Sequence, residues 1–295
     1  MIEVNNLSHS FGEKNVLRNI NLKIREGEIL GLIGVNGAGK STFLRLMSGI
    51  LTPEGGQVLI DGIDVQKGEA RKNLFFLSDD PFFGTGTTAD ELFELYKTFY
   101  PNIDRSEFTQ LMSIAGLQRD SALSKFSKGM RRQAFTALAF AVSPKYLLLD
   151  ESFDGLDPVA RERFKKQVRK TAENGSTIII SSHALSELDG FCDNYLVLSE
   201  SRLISPETVA EKMRNMYKFQ IVFETEPHHS LFDILEPQQV HIVARVATVI
   251  VSGDKDEISA KIEGLHPLLY DCLSMEGGEG LLNTVTELAE GGEPV

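Results

Sequence analysis

The stretch GVNGAGKS, residues 34–41, arranges glycines, a lysine and a serine in the order GxxxxGK[ST]. Glycines let the chain fold back so that successive backbone N–H groups converge, and a helix starting at the lysine adds its own free N–H groups. The point they share suits a phosphate. In that arrangement Lys40 reaches the β- and γ-phosphates of a nucleotide, and the Ser41 hydroxyl ligates Mg²⁺. A mere glycine-rich turn is the plain alternative. The context opposes it, because the match lies between the apolar, strand-length run EILGLIG and the helix-like KSTFLRLMSG, which Gly49 closes.

Two further groups fit the same chemistry. YLLLDE, residues 146–151, ends an apolar run with two carboxylates; in a nucleotide hydrolase Asp150 would hold Mg²⁺ through its water shell and Glu151 would polarise the attacking water. Taken alone, acidic residues after a strand are more often loop or helix-cap residues. His183, just after TIIISS, is placed to contact the γ-phosphate and to position Glu151 and the water, although a lone histidine there is usually a capping or buried polar group.

A fourth stretch is harder to read. SKFSKGMRRQAFTALAFAV, residues 124–142, is an apolar run suited to a buried helix, yet it opens with Lys125, Lys128, Arg131 and Arg132. A helix N-terminus carries partial positive charge and favours carboxylates. Cations there imply an anion supplied from elsewhere; for Lys125, Arg131 and Arg132 the alternative is ordinary surface charge.

These groups need elements to hold them. The runs EILGLIG, YLLLD and TIIISS are short and uninterrupted, as strands buried on both faces of a parallel sheet are. LTPEGGQVLIDG reads as a turn and a strand. From about residue 80 to 142 strand signals vanish, and TADELFELYKTFY and DRSEFTQLMSIAG read as helices before the basic stretch supplies a third. After about Ile204 the pattern changes: a helix at SPETVAEKM, strand-like YKFQIVFE and VHIVARVATVIVSG, a helix at DEISAKIEG, a strand at LLYDCLSM and a last helix near GLLNTVTELAE. The expected organisation is an α/β core over residues 1–204 with a helical subdomain inserted at about 80–142, followed by a small α+β domain over 205–295.

Composition bounds the partners. The chain has 295 residues, 42% of them hydrophobic, and a net charge of −12, which argues against non-specific binding to nucleic acid. Cys192 and Cys272 stand in no metal-ligand spacing and read as free thiols in a reducing compartment such as the cytosol. No signal pattern and no apolar run of about 20 residues is present, so a membrane role requires a partner. His228 and His229 in PHHS read as a solvated loop, with no further ligand spacing to make a metal site.

Together these motifs resemble, over residues 1–204, the nucleotide-binding subunit of an ATP-binding cassette (ABC) transporter, of the exporter type that includes bacitracin-resistance and peptide-export subunits. The fold this implies is a P-loop NTPase core. By resemblance Phe11 in HSFG stacks on adenine; Gly34, Asn36, Gly37, Ala38, Gly39, Lys40, Ser41 and Thr42 bind ATP; Glu151 and His183 are catalytic; and Asp157 in FDGLD belongs to the D-loop. FSKGMRRQ matches the signature that receives the ATP of an opposite subunit, through Ser127, Lys128, Gly129 and Met130. Asp79 in LFFLSDDP stands where the family usually has a glutamine and is expected to reach Mg²⁺ or its water, alongside Ser41 and Asp150. Lys128 and Met130 depart from the usual signature, and Ser152 stands where a proline usually follows the glutamate.

The resemblance implies an ATPase with ATP and Mg²⁺ as cofactors. It would dimerise with itself or a second ABC ATPase and drive a separate transmembrane permease exporting a peptide, antibiotic or other amphipathic cargo. It would reside in the cytoplasm, peripheral on the inner face of the membrane, and bind no nucleic acid. The rival reading is a soluble ABC ATPase acting as a mechanical switch on ribosomes or DNA, which usually carries two cassettes in one chain or a long inserted coiled coil.

Overall fold

The computed structural model describes residues 1–183, 185–188 and 190–273. Two N-terminal strands, β1 (Ile2–Phe11) and β2 (Lys14–Ile24), bury residues in an interrupted alternation and pair antiparallel. The core sheet begins with β3 (Ile29–Ile33), buried at every residue, which runs into α1 (Lys40–Met47) through the glycine-rich loop. Next come β4 (Gly55–Ile60) and β5 (Ile63–Asp64), which join the first sheet in the order β2-β1-β4-β5.

The chain then enters the core sheet with β6 (Leu74–Leu77) and leaves it for three helices: α2 (Ala89–Phe99), α3 (Arg105–Ile114) and α4 (Lys128–Val142). Each start is capped as its sequence dictates. Thr88 and Glu91 form a reciprocal capping box, Asp104 accepts from two backbone N–H groups, and Ser127 accepts from Met130. The basic stretch is therefore not helical from its start: residues Leu123–Lys125 form a short 3₁₀ turn and the α-helix begins at Lys128. α4 is buried on nearly all sides after its first turn, with Phe135, Leu138 and Phe140 in the core.

β7 (Tyr146–Leu149), α5 (Pro158–Glu173), β8 (Thr177–Ser182), α6 (Leu185–Leu188), β9 (Asn194–Ser199) and β10 (Arg202–Ile204) complete the first unit. The central sheet has the order β10-β9-β3-β8-β7-β6, and β9, β3, β8, β7 and β6 run parallel. Because Ile33 pairs with Ser182, Leu149 with Ile180 and Leu77 with Leu149, the carboxyl ends of β3, β8, β7 and β6 stand at one edge. That edge is where an open parallel sheet binds ligands.

Compact units divide at Leu203 and Ile204. The second holds α7 (Pro206–Arg214), β11 (Met216–Val222), β12 (Gln239–Val243), β13 (Val246–Ser252), α8 (Lys255–Glu263) and β14 (Leu269–Leu273), with an antiparallel sheet ordered β12-β13-β11-β14. Its own core contains Phe219, Ile221, Phe232, Val249 and Ile262. The run VHIVARVATVIVSG is not one strand but a hairpin, turned at Ala244 (φ 52°) and Arg245 without the glycine or asparagine that would have marked it. His228 and His229 are exposed as expected, and the loop ends there: the His228 ring accepts from the Ser230 N–H and caps a 3₁₀ helix, His229–Leu235. The helix expected at GLLNTVTELAE lies outside the described residues.

Candidate active site

The glycine-rich loop is shaped by contact and by dihedral angle. A Cβ on Gly34 would stand 2.6 Å from the Leu198 carbonyl oxygen, and one on Gly39, at φ +107°, would stand 2.7 Å from Val16. Only glycine fits either place. α1 starts at Lys40 with no side-chain cap and no acidic residue in its first turn, which leaves its N-terminal N–H groups to an anion. Lys40 is buried; its Nζ donates to the Gly34 carbonyl at 2.7 Å and stands 3.3 Å from Glu151 Oε1.

An open cleft of about 480 Å³ covers this loop, a size within the range of small-molecule sites. Phe11, Asn36, Gly37, Gly39, Lys40, Ser41, Thr42, Asp79, Glu151 and His183 line it. Phe11 is half exposed and meets the edge of His9 at 4.9 Å. Gly34 and Ala38 do not line the cleft; Gly34 backs onto Leu198 and Ala38 packs on the core. Lys14, Val16 and Asp154 line the cleft too; nothing in the sequence marked the first two, and in FDGLD it was Asp157, not Asp154, that the motif singled out.

At the end of β7 the two carboxylates have different surroundings. Asp150 is fully buried, and its Oδ1 accepts from Ser181 Oγ at 2.8 Å. Its Oδ2 is buried with no hydrogen bond. Burial pushes the Asp150 pKa up, against the hydroxyls of Ser181 and Ser41. Such an orphaned oxygen beside a serine hydroxyl is a hard-oxygen donor set that fits Mg²⁺.

Glu151 takes the left-handed conformation, φ 45°, held by a bond from its N–H to Ser181 Oγ at 2.9 Å. Its Oε2 accepts from the His183 N–H at 3.1 Å and lies 2.8 Å from His183 Nδ1. That hydrogen bond raises the His183 pKa. Asp154 stands close by, its Oδ1 3.9 Å from His183 Nδ1.

Residues 127–130 do not line this cleft. Ser127 caps α4, Lys128 Nζ lies 3.3 Å from Asp154 Oδ2, and Gly129 is packed so tightly that a Cβ would come within 2.2 Å of the Gly155 carbonyl oxygen. Asp157 accepts from the Ala160 N–H at 2.8 Å and is the N-cap of α5. Asp79 reaches the cleft, but its carboxylate is engaged: Oδ1 accepts from Arg132 Nη2 at 2.6 Å. Arg132 is therefore no surface charge; only 3% of it is exposed. Lys125 is exposed, and Arg131 donates to the Phe126 carbonyl at 3.2 Å.

The chain is similar to known proteins. The family described as ABC transporter matches residues 17–154. The ABC transporter ATP-binding protein YtrB of Bacillus subtilis is 31% identical over 92% of this chain and 93% of its own. A lantibiotic transport ATP-binding protein, SrtF of Streptococcus pyogenes, is 29% identical over 76% of this chain and 99% of its own. A solved structure of the ATP-binding subunit of an ABC transporter superposes with a TM-score of 0.67 at 28% identity, covering 72% of this chain and 92% of the other. Among the described residues no helix is long and apolar enough to cross a membrane. With its phosphate loop, paired carboxylates and P-loop α/β core, this chain belongs to the ATP-binding subunits of ABC transporters and is an ATPase.

Proposed function

We propose that two such subunits, identical or paired with a second ABC ATPase, close on MgATP and drive a separate transmembrane permease from its cytoplasmic face. The observation that carries this reading is the position of residues 127–130, which present a capped helix start and a basic side chain yet do not line their own chain's cleft. A helix N-terminus whose own first turn holds no carboxylate is complementary to the γ-phosphate bound by another copy. The lantibiotic relative supports a peptide or similar amphipathic cargo, and the direction we favour is export.

The residues of the cleft, with Asp150 buried outside its lining, divide the work as follows. Phe11 stacks on adenine, and the loop N–H groups with α1 bind the phosphates. Lys40, now bonded to Gly34 and Glu151, turns to the β- and γ-phosphates and leaves Glu151 free to polarise water. His183 fixes Glu151 through two hydrogen bonds and so orients that water. Ser41 and Asp150 would hold Mg²⁺, which when bound neutralises charge on the phosphate oxygens. Catalysis is then mostly positioning and charge stabilisation.

Steady-state turnover of Glu151→Gln tests the assignment. ATP binding should be retained while turnover falls at least about 100-fold, the scale of a lost general base; turnover equal to that of the wild type would overturn it.

A further inference from the structure

The one buried cation of α4 joins three parts of the site. Arg132 Nη1 donates to the Ser78 carbonyl at 3.1 Å and to the Asp150 carbonyl at 3.4 Å, while Nη2 donates to the Asp79 carbonyl and to Asp79 Oδ1, each at 2.6 Å. The acceptors lie after β6 and after β7, and the donor lies one turn into the helix that begins at the signature. A planar guanidinium can serve this divergent set, whereas an ammonium is a point charge without the fork.

We propose that Arg132 is a positioning residue of the ATPase site. It neutralises Asp79 and grips the backbone of Asp150, so that the 78–80 loop, the metal-facing carboxylate and α4 move as one piece. Asp150 is thereby fixed from two directions, by Arg132 at its carbonyl and by Ser181 at Oδ1, with Oδ2 left over for a ligand. The pair also accounts for an aspartate at position 79. Its charge is matched by Arg132, and Asp79 acts as an acceptor that reports the position of α4 rather than as a second anionic metal ligand. Lys128, one helical turn before Arg132 and 3.7 Å from Asp79 Oδ1, extends the same basic face.

This inference rests on the reading of Asp150 as the metal-holding carboxylate. The test uses the full chain and a fluorescent ATP analogue, with affinity measured in Mg²⁺ and in EDTA, alongside the Mg²⁺ concentration for half-maximal hydrolysis. For Arg132→Met we expect affinity in EDTA to be unchanged and the tightening by Mg²⁺ to shrink about tenfold, as when a group supporting a metal ligand is lost. Adding Asp79→Asn should restore part of it, because the double variant no longer carries a carboxylate that has lost its guanidinium partner and keeps only Lys128 at 3.7 Å. Arg132→Lys should fall between, keeping the charge and losing the fork; it also decides the matter if Arg132→Met does not fold.

Wild-type Mg²⁺ tightening in Arg132→Met, or in Arg132→Lys if only that folds, would overturn the proposal. So would a double variant no better than Arg132→Met, since a purely architectural arginine gains nothing from neutralising Asp79. Asp150→Asn separates the two readings. If it keeps the Mg²⁺ effect, the metal assignment itself fails; if it loses the effect while the arginine variants keep it, only the present proposal fails.

Discussion

At the scale of the residue, the site is a set of paired charges with one carboxylate oxygen left over. Glu151 sits between Lys40 and His183, and Asp150 carries a buried oxygen with no bond. A buried, under-satisfied carboxylate costs stability, so Asp150→Asn should raise the melting temperature of the metal-free chain while abolishing Mg²⁺-dependent hydrolysis. Thermal denaturation in EDTA checks the first half and an ATPase assay the second. The His183 pKa is raised by its bond to Glu151, so the folded chain holds a proton that the unfolded chain releases near the ordinary histidine pKa of about 6.5. The stabilisation is therefore complete below that pH and is lost as pH rises through the raised value. Melting temperature against pH should decline over that window in the wild type more than in His183→Ala. The effect is small, since the ring is 43% exposed.

At the scale of the element, the informative unit is α4 with the loops it touches. Gly129 abuts Gly155, so Gly129→Asp acts in two ways: it sets a carboxylate where an anion should dock, and it displaces the loop at Gly155. ATP binding to the single chain should persist, because residue 129 does not line that cleft, while ATP-driven association should be lost. Fluorescent-nucleotide titration and light scattering measure the two separately. The same helix shows what a sequence conveys. Strands β3, β7 and β8 are legible because a sheet covered on both faces demands unbroken apolar runs, and the phosphate loop because its glycines have no substitutes. β1 and β2 escaped, since their pattern of alternation is interrupted by register shifts between Val4 and Ser10. Arg132 was ambiguous for a different reason. Three of its four acceptors are backbone carbonyls, which leave no trace in residue types, and the fourth, Asp79 Oδ1, lies far along the chain.

At the scale of the whole molecule, the two units have separate hydrophobic cores, and the ABC transporter match at residues 17–154 falls within the first. A chain ending at Ile204 should therefore bind ATP with unchanged affinity, as titration would show. The C-terminal hairpin at Ala244 and Arg245 eluded the sequence because its turn lacks the residues that usually mark one. The proposed dimer is where the scales meet, since the first turn of α4 holds no carboxylate and the cleft presents none of residues 127–130, a pairing that two chains closing on MgATP would complete. The most direct measurement is the mass of Glu151→Gln in solution by light scattering, with and without MgATP. The account predicts a doubling on adding MgATP that Gly129→Asp in the same background abolishes. A Glu151→Gln chain that binds MgATP and keeps the mass of one subunit would contradict it.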